Sequence, residues 1–345
     1  MDTNAAQPGR QLNRRKFLGG ALAAGVLTPI IAACSSGSPA STSAASGKKA
    51  TTVRLGYSSN GVTATAKNRG VFVKSLAAQN IDVTWVGPFP NHAPSIQAVV
   101  GNSADLSFGG SSTVALAAIE AGGNLKLTSF ISANIRTTSI LVLPKSGITS
   151  VPGLVGKKIA VNKSGLGQFI AVAALEKYNI PLSKVTFVYL DPGDAGPAFY
   201  SGKVDAWSIF GDTVQAAEAN YGAQAIFTDS KDLPSQLDYE TFVTRADYAA
   251  SNGATLKAVL DAYKVEQTWL NDHFDESVDQ NAKVEKLSAK AIALIKEQEK
   301  GTITTLDAPF TASDITKLQA SANWQNSHGV LPKHIDVAQY ALTSF

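Results

Sequence analysis

Cysteine and methionine are almost missing: Cys34 and Met1 are the only examples in 345 residues. A single cysteine excludes an intrachain disulfide framework and leaves thiol chemistry only one candidate. Histidine is scarce as well. His92, His273, His328 and His334 show no metal-ligand spacing, which argues against a zinc site. They read as surface or loop residues, with His92 the one near the predicted cleft. No G-x-S-x-G elbow for a serine hydrolase is present. Gly165-Leu166-Gly167 lacks the third glycine of a dinucleotide loop, since Ile170 stands there, and no Gly-Lys-Ser/Thr completes a phosphate loop. No catalytic set, metal site or cofactor is predicted.

The chain also lacks a long apolar run. The stretch Gly19 to Ala33 is about 15 residues, short of the roughly 20 that cross a bilayer as a helix. It comes after Asn13-Arg14-Arg15-Lys16-Phe17-Leu18 and precedes Cys34. A charged segment, a short apolar segment and small residues before a processing point make an export signal, and the paired arginines match the twin-arginine pattern. Ile31-Ala32-Ala33-Cys34 resembles a lipobox, so residues 1–34 are expected to be a lipoprotein signal with Cys34 lipidated. The Ser/Ala/Gly-rich residues 35–50 are expected to form a flexible tether. A membrane anchor through Cys34 would place the mature protein in the cell envelope, on the outer face of the cytoplasmic membrane or in the periplasm.

One-sided charge is absent too. The formal charge of +3 arises before Cys34, where Arg10, Arg14, Arg15 and Lys16 stand against Asp2. The remainder of the chain is formally neutral, which argues against nucleic acid as a partner. Its roughly 300 residues can bury one large or two medium cores.

What is present is an alternation of strand and helix, the signature of an α/β fold. Strands are predicted over 53–57, 81–86, 125–131, 139–143, 158–161, 185–190, 206–210, 225–227 and 241–243. Helices are predicted over 63–79, from 95 to 100, and over 113–121, 168–178 and 195–201. From about residue 246 the pattern is helical, with apolar residues three and four apart.

Three Gly/Ser-rich turns fall between a predicted strand and the helix after it: Ser58–Gly61, Gly109–Ser112 and Asn162–Gly167. In open α/β sheets ligands bind beyond the carboxyl ends of strands. Helix starts there offer unpaired N–H groups and the positive end of the helix dipole. One such turn is an ordinary cap, whereas three divided between two lobes point to a cleft. Trp207 and Phe210 either wall that cleft or pack in the core, and Asp212 is placed to meet a ligand.

Several linked stretches carry a resemblance: RLGY with its polar glycine turn, GNSADLSFGGSSTVALA, ITSVPGLVGKKIAVNKSGLGQF and VTFVYLDPGDAGPAFYSGKVDAWSIF. Over residues 52–300 the chain resembles the receptors for aliphatic sulfonates, taurine and nitrate, a family that also includes pyrimidine-precursor receptors. The resemblance implies a two-lobed type II periplasmic-binding-protein fold with two crossover strands and a helical C-terminal region. Lobe one would comprise residues 51–138 plus 240–345, and lobe two residues 139–239, with hinge strands near 139–143 and 241–243. Matching positions imply a ligand site of Ser59, Asn60 and Gly61; Gly110, Ser111 and Ser112; Ser164, Gly165 and Gln168; and Trp207. Phe210 and Asp212 join them on position alone. The sequence departs from the family where Phe210-Gly211-Asp212 replaces Trp-Asp-Pro and Gly110-Ser111-Ser112 replaces Gly-Asp. The implied role is a monomeric lipoprotein that hands a small molecule, a sulfonate or related anionic or polar compound, to an ABC permease. The alternatives are a same-fold enzyme acting on a thiamine precursor or similar compound, and a ligand-sensing lipoprotein.

Overall fold

A computed structural model describes residues 50–345; the expected signal, Cys34 and nearly all of the tether lie outside the described residues. The strands are β1 (Thr51–Ser58), β2 (Ile81–Phe89), β3 (Gly110–Ser111), β4 (Leu125–Leu127), β5 (Phe130–Ala133), β6 (Ser139–Val142), β7 (Lys158–Val161), β8 (Thr186–Tyr189), β9 (Ala206–Ile209), β10 (Gln224–Thr228), β11 (Glu240–Thr241), β12 (Val243–Arg245) and β13 (Thr304–Asp307). The helices are α1 (Gly61–Arg69), α2 (Val71–Ala77), α3 (His92–Val100), α4 (Ser112–Glu120), α5 (Leu166–Lys177), α6 (Pro192–Tyr200), α7 (Thr213–Tyr221), α8 (Asp229–Asp232), α9 (Ala246–Ser251), α10 (Gly253–Asp272), α11 (Phe274–Glu285), α12 (Ala289–Gln298) and α13 (Ala312–Ser327).

Strands sort into two groups. β6 to β10 make a five-stranded sheet in the order β10-β6-β9-β7-β8. Its two-residue alternation feeds two separate cores. Ile140, Val142, Ile159, Val161 and Ala206 face α5, whereas Leu141, Leu143, Ala160, Trp207 and Ile209 pack with Phe199 and Val214 on the other face. The remaining strands belong to the other lobe. There β1 pairs in parallel with β2, Leu106 bridges Leu55 to Thr244, and β13-β5-β11-β3 form a second layer. Val53, Leu55, Phe72, Leu106 and Phe242 pack against Leu256, Leu260 and Tyr263 of α10.

Three expectations change at this level. The helix expected over 63–79 is split into α1 and α2 at Gly70, whose φ of 70° is left-handed, a conformation glycine takes without steric cost. The single strand expected over 125–131 is two, in different sheets. The tail is not wholly helical either, since β13 runs antiparallel to β5.

The lobes are crossed by residues 134–138 and 233–239, not by the strands expected as hinges. β6 is an interior strand of the five-stranded sheet, and β11 and β12 belong to the other lobe. The first crossing is tied to α8, the helix that leads into the second. Arg136 Nε lies 3.1 Å from Asp229 Oδ2, Asp229 N–H donates to the Thr138 carbonyl at 2.9 Å, and Ser230 Oγ donates to the Arg136 carbonyl at 2.7 Å. Burial holds the Asp229 carboxyl above its ordinary range although Arg136 pulls it down. Two further links join the lobes. α12 packs on α7, and α13 reaches α5, where Trp324 packs edge-on to Phe169 at 4.8 Å and donates to Glu176 at 3.1 Å.

Candidate functional site

At the end of β1, Asn60 is extended and Gly61, at φ 72°, turns the chain into α1. No side chain caps this helix. Its neighbours are acids brought from far away in sequence. Ser59 Oγ donates to Glu285 Oε1 at 2.7 Å, and the Asn60 side chain lies beside the Gly211-Asp212 turn, where a Cβ at Gly211 would fall 3.9 Å from its Nδ2. Asp212 comes from the opposite lobe, in the turn between β9 and α7, while Glu285 ends α11. The two carboxyl groups are neighbours and perturb each other. Burial raises both, and the Asp212 charge adds to the rise of Glu285, which reaches about 7. Glu299 stands beside them and is raised to about 7 by burial and by the Asp212 charge. It accepts hydrogen bonds from Thr137 at 3.0 Å and from Gln215 at 3.2 Å.

The second turn is occupied by the protein itself. Asp238 Oδ1 accepts from Ser111 Oγ at 3.0 Å, Ser112 Oγ at 3.1 Å, and Thr113 N and Oγ1 at 2.9 and 2.7 Å. A carboxylate with these donors at a helix start is an N-cap reached across more than 120 residues. Burial pushes Asp238 up to about 6 even though its four hydrogen bonds pull the other way. Gly110 serves packing, because a Cβ there would meet the His92 ring at 2.6 Å. His92 is buried and not on a surface loop. Its Nδ1 lies 3.0 Å from the Ser111 carbonyl, which can only accept, so Nδ1 carries the proton and Nε2 faces Ser107 Oγ at 3.0 Å. Burial lowers its pKa to about 4. Nearby Glu240 reaches solvent, yet burial by its surroundings and the Asp238 charge push it to about 7.

The third turn braces itself. Ser164 N–H donates to Gln168 Oε1 at 2.7 Å and Gly167 N–H to Asn162 Oδ1 at 2.9 Å. A Cβ at Gly165 would fall 1.8 Å from Asn162 Nδ2, and one at Gly167 would fall 2.5 Å from the Ser208 carbonyl. Both glycines permit close packing of the turn against its own cap and against β9.

Trp207 does not stand on a cleft wall. It is 2% exposed and packs against Phe199 and Tyr200 of α6, with ring centroids 5.8 and 6.1 Å apart. The physical reason is strand geometry: a residue inside a central strand points into a covering layer, and only residues past the strand end reach the edge. Phe210, Gly211 and Asp212 are those residues here, and Phe210 and Asp212 are partly exposed.

The structure therefore brings Ser59, Asn60, Asp212 and Glu285 together, joins Ser111 and Ser112 on Asp238, and joins Ser164 to Gln168. Sequence reasoning missed Asp238, Glu240, Glu285, Glu299 and Gln215. Glu285 and Glu299 lie in the tail, where charged residues at helical spacing read as a solvated face, and no local pattern marks a carboxylate that caps a remote helix.

A two-lobed α/β body with its polar groups gathered between the lobes is the architecture of a periplasmic binding protein. It resembles the alkanesulfonate-binding protein of Xanthomonas axonopodis pv. citri bound to MOPS, with a TM-score of 0.75 at 24% identity over 86% of this chain and 99% of that one. It also resembles the periplasmic aliphatic sulphonate-binding protein of Escherichia coli, with a TM-score of 0.72 at 25% identity over 85% of this chain and 92% of that one. The chain belongs to the NMT1/THI5-like family, whose model matches residues 44–276. A relative from Bacillus subtilis named as an aliphatic sulfonates-binding protein is 27% identical over 81% of this chain and 82% of its own length. A desulfurization enzyme shares the fold at a TM-score of 0.57 and 14% identity.

Proposed function

We propose that this chain is the solute-binding component of an ABC importer, capturing a small polar organic molecule between its lobes and handing it to a membrane permease. The observation that carries the reading is the approach of the Gly211-Asp212 turn of one lobe to Asn60 of the other, where a Cβ at Gly211 would lie 3.9 Å from Asn60 Nδ2, with Glu285 on the neighbouring Ser59. Polar groups from both lobes meet there, so a molecule bound among them would bridge the lobes and shift the population toward the closed form. Ser59, Asn60, Gly61, Phe210 and Asp212 line this subsite in our reading. Ser111, Ser112, Ser164 and Gln168 shape the helix starts around it. The names of the relatives put forward an aliphatic sulfonate as one solute class.

An enzymatic role has less support. Among the described residues no group of His, Cys, Asp and Glu is arranged to hold a metal. His92, the histidine nearest the subsite, is locked in a buried hydrogen-bonded position. The expected export signal and lipobox at Cys34 support a lipid-anchored protein on the outer side of the cytoplasmic membrane, and we take it to act as a monomer. Mass spectrometry of small molecules released from the purified protein tests the binding reading, and a turnover assay on the released compound separates receptor from enzyme. A released compound that the protein converts would overturn it, as would a protein that carries none and is stabilised by none in a broad metabolite screen.

A further inference from the structure

Three buried carboxylates of this protein are paired with arginine. Asp105 pairs with Arg54 at 2.5 Å, Glu266 with Arg69 at 2.6 Å, and Asp229 with Arg136 at 3.1 Å. These acids, which hold the lobes and crossings together, are neutralised by arginine. The acids between the lobes are not. Among the described residues, Asp212, Glu285 and Glu299 form no salt bridge with lysine, arginine or histidine, and the nearest tail ion pair, Lys296 with Asp279 at 2.7 Å, leaves them out. Asp212 and Glu285 instead stand beside each other with no cation between them.

A second observation is independent of the acids. Gln215, one turn beyond Asp212 in α7, is completely buried. Its amide orientation is fixed because Nε2 donates to Gln298 Oε1 at 3.0 Å and to Glu299 Oε1 at 3.2 Å. Its carbonyl oxygen, next to that nitrogen on the same amide, has no partner. Asn281, one turn before Glu285 in α11, is also buried with an unpartnered carbonyl oxygen. Buried acceptors are normally satisfied, so the subsite is short of donors and positive charge. Metal ligation does not supply them, since no cluster among the described residues fits an ion.

We propose that Asp212, Glu285 and Glu299, with the Gln215 carbonyl, receive a cationic nitrogen of the solute, an amine or amidine. The inference rests on the solute-binding reading and names the chemistry of one end of the solute. On binding, the ammonium or amidinium enters with its protons and the pair releases one proton to solvent, so charge balances in the groove. The charged group facing the pair is Glu299, beside the crossing, and its neutral neighbours are Ser59 and Asn60 of the first turn.

The test is calorimetry and thermal shift on the full chain with defined probes: primary alkylammonium salts and benzamidine, against alkanesulfonates of equal length, at pH 6, where Glu285 still holds its proton. The cationic probes should raise the melting temperature and release a proton on binding, seen as a dependence of the heat on buffer ionisation enthalpy. Asp212→Asn and Glu285→Gln should each weaken cation binding at least tenfold. Both amides keep the hydrogen bond of a protonated carboxyl, so circular dichroism should show folded variants. Stabilisation by sulfonates alone would overturn the inference and leave the solute-binding reading intact. Cation binding that is undiminished in both variants, or no stabilisation by any cationic probe at 10 mM, would overturn it as well. A sulfonate response or a released ligand in that last case would still support the parent reading.

Discussion

Asp238, on the returning crossing, accepts both the backbone N–H and the hydroxyl of Thr113 at 2.9 and 2.7 Å. The start of α4 is thereby capped by a residue of the hinge, so the turn that sequence assigns to a ligand is also part of the joint between lobes. Replacing Asp238 with Ala removes an N-cap and strands the Ser111 and Ser112 hydroxyls. Caps are worth about 0.5–2 kcal/mol and unsatisfied buried donors about 1–3 kcal/mol each, so chemical denaturation should show a loss of about 2–4 kcal/mol. Asp238→Asn, which retains one acceptor, should lose less. Equal stability of the Ala variant and wild type would contradict the capping role.

Trp207 tests the difference between a wall and a core. Trp207→Ala should cost roughly 3–5 kcal/mol, the range for emptying a large buried site. Trp207→Phe should retain most of the stability and leave solute affinity unchanged, because the ring faces α6. A loss of affinity in a fully folded Trp207→Phe protein would restore it to the ligand site.

How much of this was legible beforehand depends on the range of the interactions. Strand and helix alternation, the strand-turn-helix order of β7 and α5, and the Gly/Ser turns are local, and each lies near its expected position. The role of Trp207 was not local: Asp205 to Asp212 reads as a strand running to the cleft, and only the presence of α6 over that face decides where the ring goes. The split of α1 from α2 comes from Gly70, a visible signal. Of the acids between the lobes, Asp212 was legible by its place after a strand, but Glu285 and Glu299 were not. Glu285 is 226 residues from Ser59, and nothing in the local pattern distinguishes it from the exposed Glu276 of its own helix or Glu297 of the next.

The hinge tie offers a double-variant test. Removing one partner of a buried pair leaves an uncompensated charge and costs about 3–5 kcal/mol, so Arg136→Met and Asp229→Leu should each destabilise strongly. The double variant should recover much of the loss, because two apolar side chains replace two paired charges. Additive losses in the double variant would show that the pair is not the coupled unit the 3.1 Å contact indicates.

The glycines of the third turn provide a steric prediction. Gly167→Ala would set a Cβ 2.5 Å from the Ser208 carbonyl, a backbone atom of a buried strand that cannot swing away. The cost should be that of overpacking, typically about 1–3 kcal/mol, measured as a lowered unfolding midpoint. Gly193→Ala, where a Cβ meets nothing within 4 Å, is the control and should stay close to wild type. Similar behaviour of the two variants would remove the packing explanation.

The raised acids make stability depend on pH in a fixed direction. Glu285, Glu299 and Glu240 are raised to about 7 and Asp238 to about 6. Between the ordinary carboxyl range near 4 and these values, the folded protein holds protons that the unfolded chain has released. Raising the pH through that window therefore favours unfolding. His92 works against this trend. Its folded pKa of about 4 lies below its ordinary 6.5, so the unfolded chain takes the extra proton and stability from this residue rises with pH up to about 6.5. Several acids outweigh one histidine, and above pH 6.5 the histidine contribution is flat. The melting temperature should fall from pH 5 to pH 8, most cleanly between 6.5 and 7.5. Glu285→Gln cannot ionise and relieves Asp212 of its charged neighbour, so it should flatten that upper segment, whereas Glu297→Gln on the exposed face should not. A melting temperature that climbs through this interval, or a slope indifferent to Glu285→Gln, would show that the carboxyls between the lobes are already ionised and separately solvated.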